Sequence, residues 1–252
     1  MSDLHQDCPQ ASVGVAAGSI DLGLRSYMLG IYNKVGLGLL LAAAVAYAAH
    51  VPALRDMLFT TATPPGGASH TALTLVGSIV AFSPLFLLLG GGSILSKPTP
   101  TRTAALYWSV VALVGASMGV LFLTFTGGSI ALTLAVSAIG FGGLSLIGYR
   151  TDRNLTALGS FLIMGLVGLV LTLVANLVLR SPALDYAAGV VGVLVFAGLI
   201  ACDTQRLKLS YYQQGGDQAS LAVATDLGAL SLFINFVNLF QFLLMLASGQ
   251  RR

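Results

Sequence analysis

Side chains able to do acid–base or metal chemistry are scarce in this chain and unevenly placed. Its nine acidic residues are all aspartates, and its three histidines (His5, His50 and His70) fall in the first third of 252 residues. Nothing in the sequence pairs the two cysteines, Cys8 and Cys202, and Cys202 reads as a small apolar residue. The acid with most chemical promise is Asp203, in DTQRLKLSYY (203–212), directly after a run of 17 residues free of charge. Two readings of it stand. It can pair with Arg206 or Lys208 as an edge charge, or it can point inward as an ion or proton ligand, because a carboxylate inside an apolar span is a functional candidate. A second concentration of polarity lies in DLGALSLFINFVNLFQFLLMLA (226–247), where Ser231, Asn235, Asn238 and Gln241 fall at spacings of four, three and three. That spacing keeps them on one helical face. Amides in hydrocarbon need partners, so the stripe is expected to face protein or water, either lining a polar pathway or bonding helices together.

Other motifs lead away from catalysis. Gly115-Ala116-Ser117-Met118-Gly119 matches the G-x-S-x-G pattern but sits in an apolar stretch, with no histidine after His70. Gly115 and Gly119 read better as a small-residue packing face. Paired intramembrane aspartate motifs are absent, and no His/Glu/Cys cluster suits zinc. A calcium cage wants several carboxylates at one point, so calcium contact at Asp203 is expected to be weak and transient. No phosphate loop or dinucleotide fingerprint occurs. The expectation is a protein that is not an enzyme and carries no cofactor.

The elements that must position these residues are membrane spans. Hydrophobic residues make up 56% of the chain and charged residues 8%, against about 25% charged in a soluble domain; mean hydropathy is +0.89. This excludes a soluble globular domain, a disordered chain and a coiled coil, and predicts an all-α integral membrane protein. The net charge of +3 reflects basic loops rather than nucleic-acid binding; membrane lipid is the expected partner. Residues 1–24 lack an apolar core and read as a flexible N-terminal tail, not a signal peptide. A span needs about 20 apolar residues, and charges mark span edges. This predicts a membrane domain over 25–250 with spans at about 31–51, 72–94, 104–124, 130–149, 156–178, 186–203 and 226–247. Pro84 is expected to kink the second. The turn between the third and fourth is placed at Thr124–Ser129. Flanking basic residues total eight on one side (Arg25, Lys34, Lys97, Arg102, Arg150, Arg153, Arg206, Lys208) against two on the other (Arg55, Arg180) over the first six spans. That puts the N-terminus in the cytoplasm. Arg251 and Arg252 leave open whether the last helix crosses fully or is re-entrant. Its polar stripe makes it the expected central helix.

Several ordered segments resemble one family. LRSYMLGIYNKVGLGL (24–39), FSPL (82–85), TGGSI (126–130), FGGLSLIGYRTDRNLTALGSFLIMGLVGLV (141–170), the Asn176 region, CDTQRL (202–207) and GALSLFINFVNLFQFLL (228–244) are similar to the Bax inhibitor-1 family, in a bacterial form, over about residues 22–250. The resemblance implies a seven-helix transmembrane bundle with the last helix central, in the cell's inner membrane, and a pH-sensitive calcium leak. It also implies an alternative, an adaptor that modulates a membrane-bound ATP-dependent protease, for which the tail (1–24) would be the handle. In the family an aspartate after the sixth span pairs with an aspartate in the last helix and senses protons. The first position is matched by Asp203; the second is occupied by Asn235, which can hydrogen-bond but cannot titrate. Asp226 is nine residues earlier, about 13 Å along the helix, and a poor substitute. The basic residue that some relatives carry in the second span is absent, since residues 71–96 hold no charge. The resemblance therefore implies a retained pathway with an altered pH response.

Overall fold

The structure, a computed structural model, describes residues 11–49, 51–62, 70–90, 98–151, 153–214 and 217–249. In chain order these form α1 (Ala11–Ala49), α2 (Pro52–Leu58), β1 (Phe59–Ala62), β2 (His70–Leu73), α3 (Leu75–Gly90), α4 (Pro100–Met118), α5 (Leu121–Thr124), α6 (Gly127–Arg150), α7 (Thr156–Leu179), α8 (Pro182–Gln213) and α9 (Gln218–Gly249). Among the described residues the protein is all-α apart from one short hairpin, in which Phe59 faces Leu73 and Ala62 faces His70. That hairpin lies where a loop was expected, and it delays the start of α3 to Leu75.

Among the described residues six segments are long and apolar enough to cross a bilayer: Leu22–Ala49, Pro100–Thr124, Gly127–Arg150, Thr156–Leu179, Pro182–Gln213 and Gln218–Ala247. Of the span expected over 72–94, the described residues form α3, whose 16 residues cover about 24 Å of a hydrocarbon thickness of about 30 Å. The packing nevertheless requires α3 to run back through the bundle, because α1 and α4 are parallel. The Tyr107 hydroxyl donates to the Lys34 carbonyl at 2.6 Å, Gly115 abuts Ala42, and Gly119 abuts Ala49. The chain must return between Ala49 and Pro100. The start of α3 lies against Leu58, and Leu87 and Leu88 pack on the cluster that runs from Leu24 to Ala42 on α1 and from Leu106 to Val111 on α4. Pro84 removes a backbone donor inside α3, and the Ser83 hydroxyl donates to the freed Val80 carbonyl at 2.7 Å.

The parallel pair defines two ends. The near end holds Arg25, Lys34 and the starts of α4 and α9; the far end holds Ala49, the hairpin and the α7–α8 turn. Among described residues the near end carries Arg25, Lys34, Arg102, Arg150, Arg153, Arg206 and Lys208, and the far end Arg55 and Arg180. The fourth span opens where a turn was expected: Thr126 caps α6, its hydroxyl accepting from the Ser129 amide at 3.4 Å. At the far turn Arg180 adopts φ 48°. Asn176 donates to Asp185 at 2.5 Å and accepts from the Ser181 amide at 2.8 Å, so Asp185 is held in the first turn of α8, where a helix favours negative charge.

Residues 1–10 of the expected tail lie outside the described residues, as do Cys8, Lys97, Arg251 and Arg252. The structure differs from the expectation over 11–24, where α1 already runs; the stretch ASVGVAAGS lacks proline and charge and includes several good helix formers. The last helix is one continuous helix from near end to far end, which removes the re-entrant alternative within 218–249. It packs on α1, α4, α6 and α8, burying Ala229, Leu232, Phe233, Phe236, Phe240 and Leu244, as a central helix must.

Candidate functional site

Asp203 lies inside α8, not at its end. The helix continues ten residues further, to Gln213, because TQRLKLSYYQ contains neither proline nor glycine and its charged residues can reach the near-end surface. The side chain turns toward α9. Its Oδ2 accepts from the Ser231 hydroxyl at 2.5 Å and from Asn235 Nδ2 at 2.7 Å. Those two residues are one helical turn apart, so both donors converge on one carboxylate oxygen. The edge-pair reading of Asp203 fails: the ion pairs among described residues are Lys34–Asp226 and Arg55–Asp56, and Lys208 instead donates to the Tyr149 carbonyl at 3.1 Å. Asp203 also borders a cavity of about 580 Å³ that opens at the near end between α8 and α9, with Arg206, Ser210, Gln214, Ser220 and Ser231 on its walls. Toward the far end the space beside α9 is closed by two buried clusters, Phe196, Leu199, Ile200 and Phe242 on one flank and Phe236, Phe240 and Leu244 on the other.

The stripe of the last helix divides. Ser231 and Asn235 reach Asp203. Asn238 donates to the Ile234 carbonyl of its own helix at 2.8 Å, and Gln241 is exposed. The stripe was expected to face protein or water; Ser231 and Asn235 face protein and Gln241 the surface. At about 100° per residue, Asn235 and Gln241 lie about 120° apart around the helix, so ten residues of four-three-three spacing drift off one face.

Sequence reasoning missed a second polar cluster. Asp226, treated there only as a distant stand-in for a second acid, is buried and ion-paired to Lys34. The Thr103 hydroxyl donates to its other oxygen at 2.8 Å. The Lys34 ammonium lies 5.7 Å from the Tyr107 ring centroid, a cation–π approach. The pair ties α1, α4 and α9 together at the near end. Its members are 192 residues apart, and each reads in sequence as a span edge. Gln205 was also missed. It accepts from the Leu155 amide at 2.9 Å and donates to the Arg153 carbonyl at 2.7 Å, fastening the α6–α7 connection to α8. The only hint was its place beside Asp203 in CDTQRL.

The glycine pattern in α4 resolves as packing. A Cβ on Gly115 would lie 2.7 Å from the Ala42 carbonyl oxygen, and one on Gly119 2.8 Å from Ala49 Cβ. Ser117 donates to the Val114 carbonyl at 2.8 Å. Among described residues no three His, Cys, Asp or Glu side chains gather, so Asp203 would offer a cation one carboxylate oxygen free of hydrogen-bond donors and no cage. Cys202 is free and partly buried, its Sγ 3.8 Å from the Leu155 carbonyl. Asp217, ahead of α9, accepts from the Ser220 hydroxyl at 2.5 Å and amide at 3.0 Å. These hydrogen bonds, the hydroxyl first, hold its carboxyl below the usual carboxylate range.

Comparison with known proteins places relatives along most of the chain. The family model described as Inhibitor of apoptosis-promoting Bax1 matches residues 24–252. An uncharacterised protein of Caulobacter vibrioides is 53% identical over 234 residues, covering 92% of each chain. Uncharacterised protein RP147 of Rickettsia prowazekii is 36% identical, covering 92% of this chain and 93% of its own. Inner membrane protein YbhL of Escherichia coli is 38% identical over 231 residues, covering 91% of this chain and 94% of its own.

Proposed function

The chain belongs to the Bax inhibitor-1 family of membrane proteins, and from that membership we propose that it is a calcium leak whose pathway passes Asp203. The observation that carries the reading is a carboxylate within a spanning helix, at the edge of a cavity open to one end, held by two neutral donors. A carboxylate so placed attracts a divalent cation without trapping it. It supplies a single acid, and Arg206 on the cavity wall, one turn away, opposes tight binding. The clusters around Phe236 and Phe242 close the far side, so this conformation is the resting one, and conduction needs α9 or α8 to shift.

The near end, with its excess of Lys and Arg, faces the cytoplasm, and the inner membrane is the location, as the name of the Escherichia coli relative states for that protein. With Asn235 opposite Asp203, the site holds a single carboxylate where the resemblance implies a proton-sharing pair. Asn235→Asp recreates the paired acids 2.7 Å from one another's position and should steepen the pH dependence of flux in liposomes loaded with a calcium dye. An unchanged pH profile in that variant would defeat the single-site account.

A further inference from the structure

A second cavity, of about 490 Å³, lies between α1 and α6 and opens on the outer surface of the bundle. These two helices run antiparallel, and a clear side-chain contact across the gap is the edge-on pair of Tyr32 and Phe141, with centroids 6.3 Å apart. Met28 and Tyr32 on α1 face Gly142, Ser145 and Tyr149 on α6 across a slot rather than a packed seam. A Cβ on Gly142 would meet nothing within 4 Å, so the slot reaches the α6 backbone. The slot spans Leu22 to Tyr32 along α1, about 15 Å of helix, which is about half the hydrocarbon thickness of a bilayer. It therefore has the depth of one leaflet, the near one.

Its rim is basic. Arg25 lines the opening, is exposed, and takes part in neither ion pair formed among described residues. Lys208 sits 5.5 Å over the Tyr149 ring at the same level, and Arg150 follows Tyr149. A slot of leaflet depth with apolar walls and cations at the headgroup level matches a phospholipid with an anionic head. We propose that the α1–α6 slot is a binding site for one anionic phospholipid of the near leaflet, its acyl chain lying against Gly142 and its phosphate against Arg25. A zwitterionic lipid fills the walls equally well but gains less at the rim. The inner wall touches the transport site: the Ser145 hydroxyl is 3.5 Å from Thr204 Oγ1, next to Asp203 on α8. The site itself does not depend on the leak reading.

The test uses the full-length protein in mild detergent, with phosphatidylglycerol, phosphatidylcholine or glycerol 3-phosphate added. Bound lipid is counted by native mass spectrometry, and thermal unfolding is followed in parallel. One phosphatidylglycerol per chain is expected to be retained in several-fold preference to phosphatidylcholine, and glycerol 3-phosphate to leave unfolding unchanged. Arg25→Ala should cut the preference about fivefold, the worth of one basic residue at an anionic lipid surface. Gly142→Leu, which projects into open space, should cut retention of both lipids. Equal retention of the two lipids by the wild type, or stabilisation by glycerol 3-phosphate alone, overturns the proposal. Should Gly142→Leu fail to fold, Arg25→Ala decides: an undiminished preference in that variant also overturns it.

Discussion

The Lys34–Asp226 pair offers a sharp energetic prediction because its two members are buried unequally. Asp226 is 4% exposed and Lys34 22%, and Thr103, which donates to the same carboxylate, is 1% exposed. Removing one partner of a buried pair costs about 3–5 kcal/mol, since an uncompensated charge stays behind. In Asp226→Asn the amide still accepts from Thr103, and the ammonium left behind can swing toward the near end on its flexible stem. That variant should lie at about 3 kcal/mol or slightly below. In Lys34→Met a carboxylate is left with one hydroxyl donor and no route to water, so the cost should be near 5 kcal/mol. Replacing both, as Lys34→Met with Asp226→Leu, removes the charges together and should recover most of the loss, because a buried pair exchanged for apolar side chains is often neutral. Reversible unfolding in mixed detergent micelles would give the three values. Equal small losses below about 0.5 kcal/mol in both single variants, the range of exposed pairs, would refute the argument that this pair is buried and binds three helices.

Two further outcomes follow from the packing. Gly115→Leu puts a side chain into the α1 backbone, where even a Cβ lies 2.7 Å from the Ala42 carbonyl oxygen. It should cost at least the 1–3 kcal/mol typical of overpacking, read as a lower unfolding temperature, whereas Gly142→Leu should leave that temperature near the wild type. At the start of α9, Asp217→Ala removes the cap on Ser220. The native carboxyl is held below its ordinary value, so its contribution is present above that ordinary value and lost as pH falls through the depressed one. Amide exchange at Ser220 should be faster in the variant at neutral pH, and the difference should close only below the usual carboxylate range.

What the sequence made legible was mostly what charges and turn residues dictate locally. Thr126 marked the start of α6 through its cap, whereas Lys34 and Asp226, taken as span edges, lie inside long apolar helices. Centrality of the last helix followed from amides that need partners. The placement of Asp203 was harder to read. Arg206 and Lys208 follow it at spacings that fit a membrane edge, yet a helix with no breaker continues past the edge, and its direction is settled by what α9 presents. Ser231 and Asn235 presented donors, whereas Gln241 had turned away by accumulated drift. Lys34 with Asp226 was invisible because parallel packing of α1 and α4 around α9 brings them together, and no local pattern encodes that packing. The short α3 was hidden for a related reason. Its hydropathy runs to residue 94, but the first residues of that run pair as a β-strand with Phe59–Ala62.

The central claim is that ions pass Asp203, and calcium flux into dye-loaded liposomes by the Asp203→Asn protein tests it most directly. The amide keeps an oxygen for Ser231 and Asn235 to donate to, so the helices stay joined while the charge goes. The account predicts measurable flux with the wild type and a marked change in Asp203→Asn, with the unfolding temperature preserved. Wild-type flux no greater than that of empty liposomes, or flux in Asp203→Asn that matches the wild type at every pH, would contradict it.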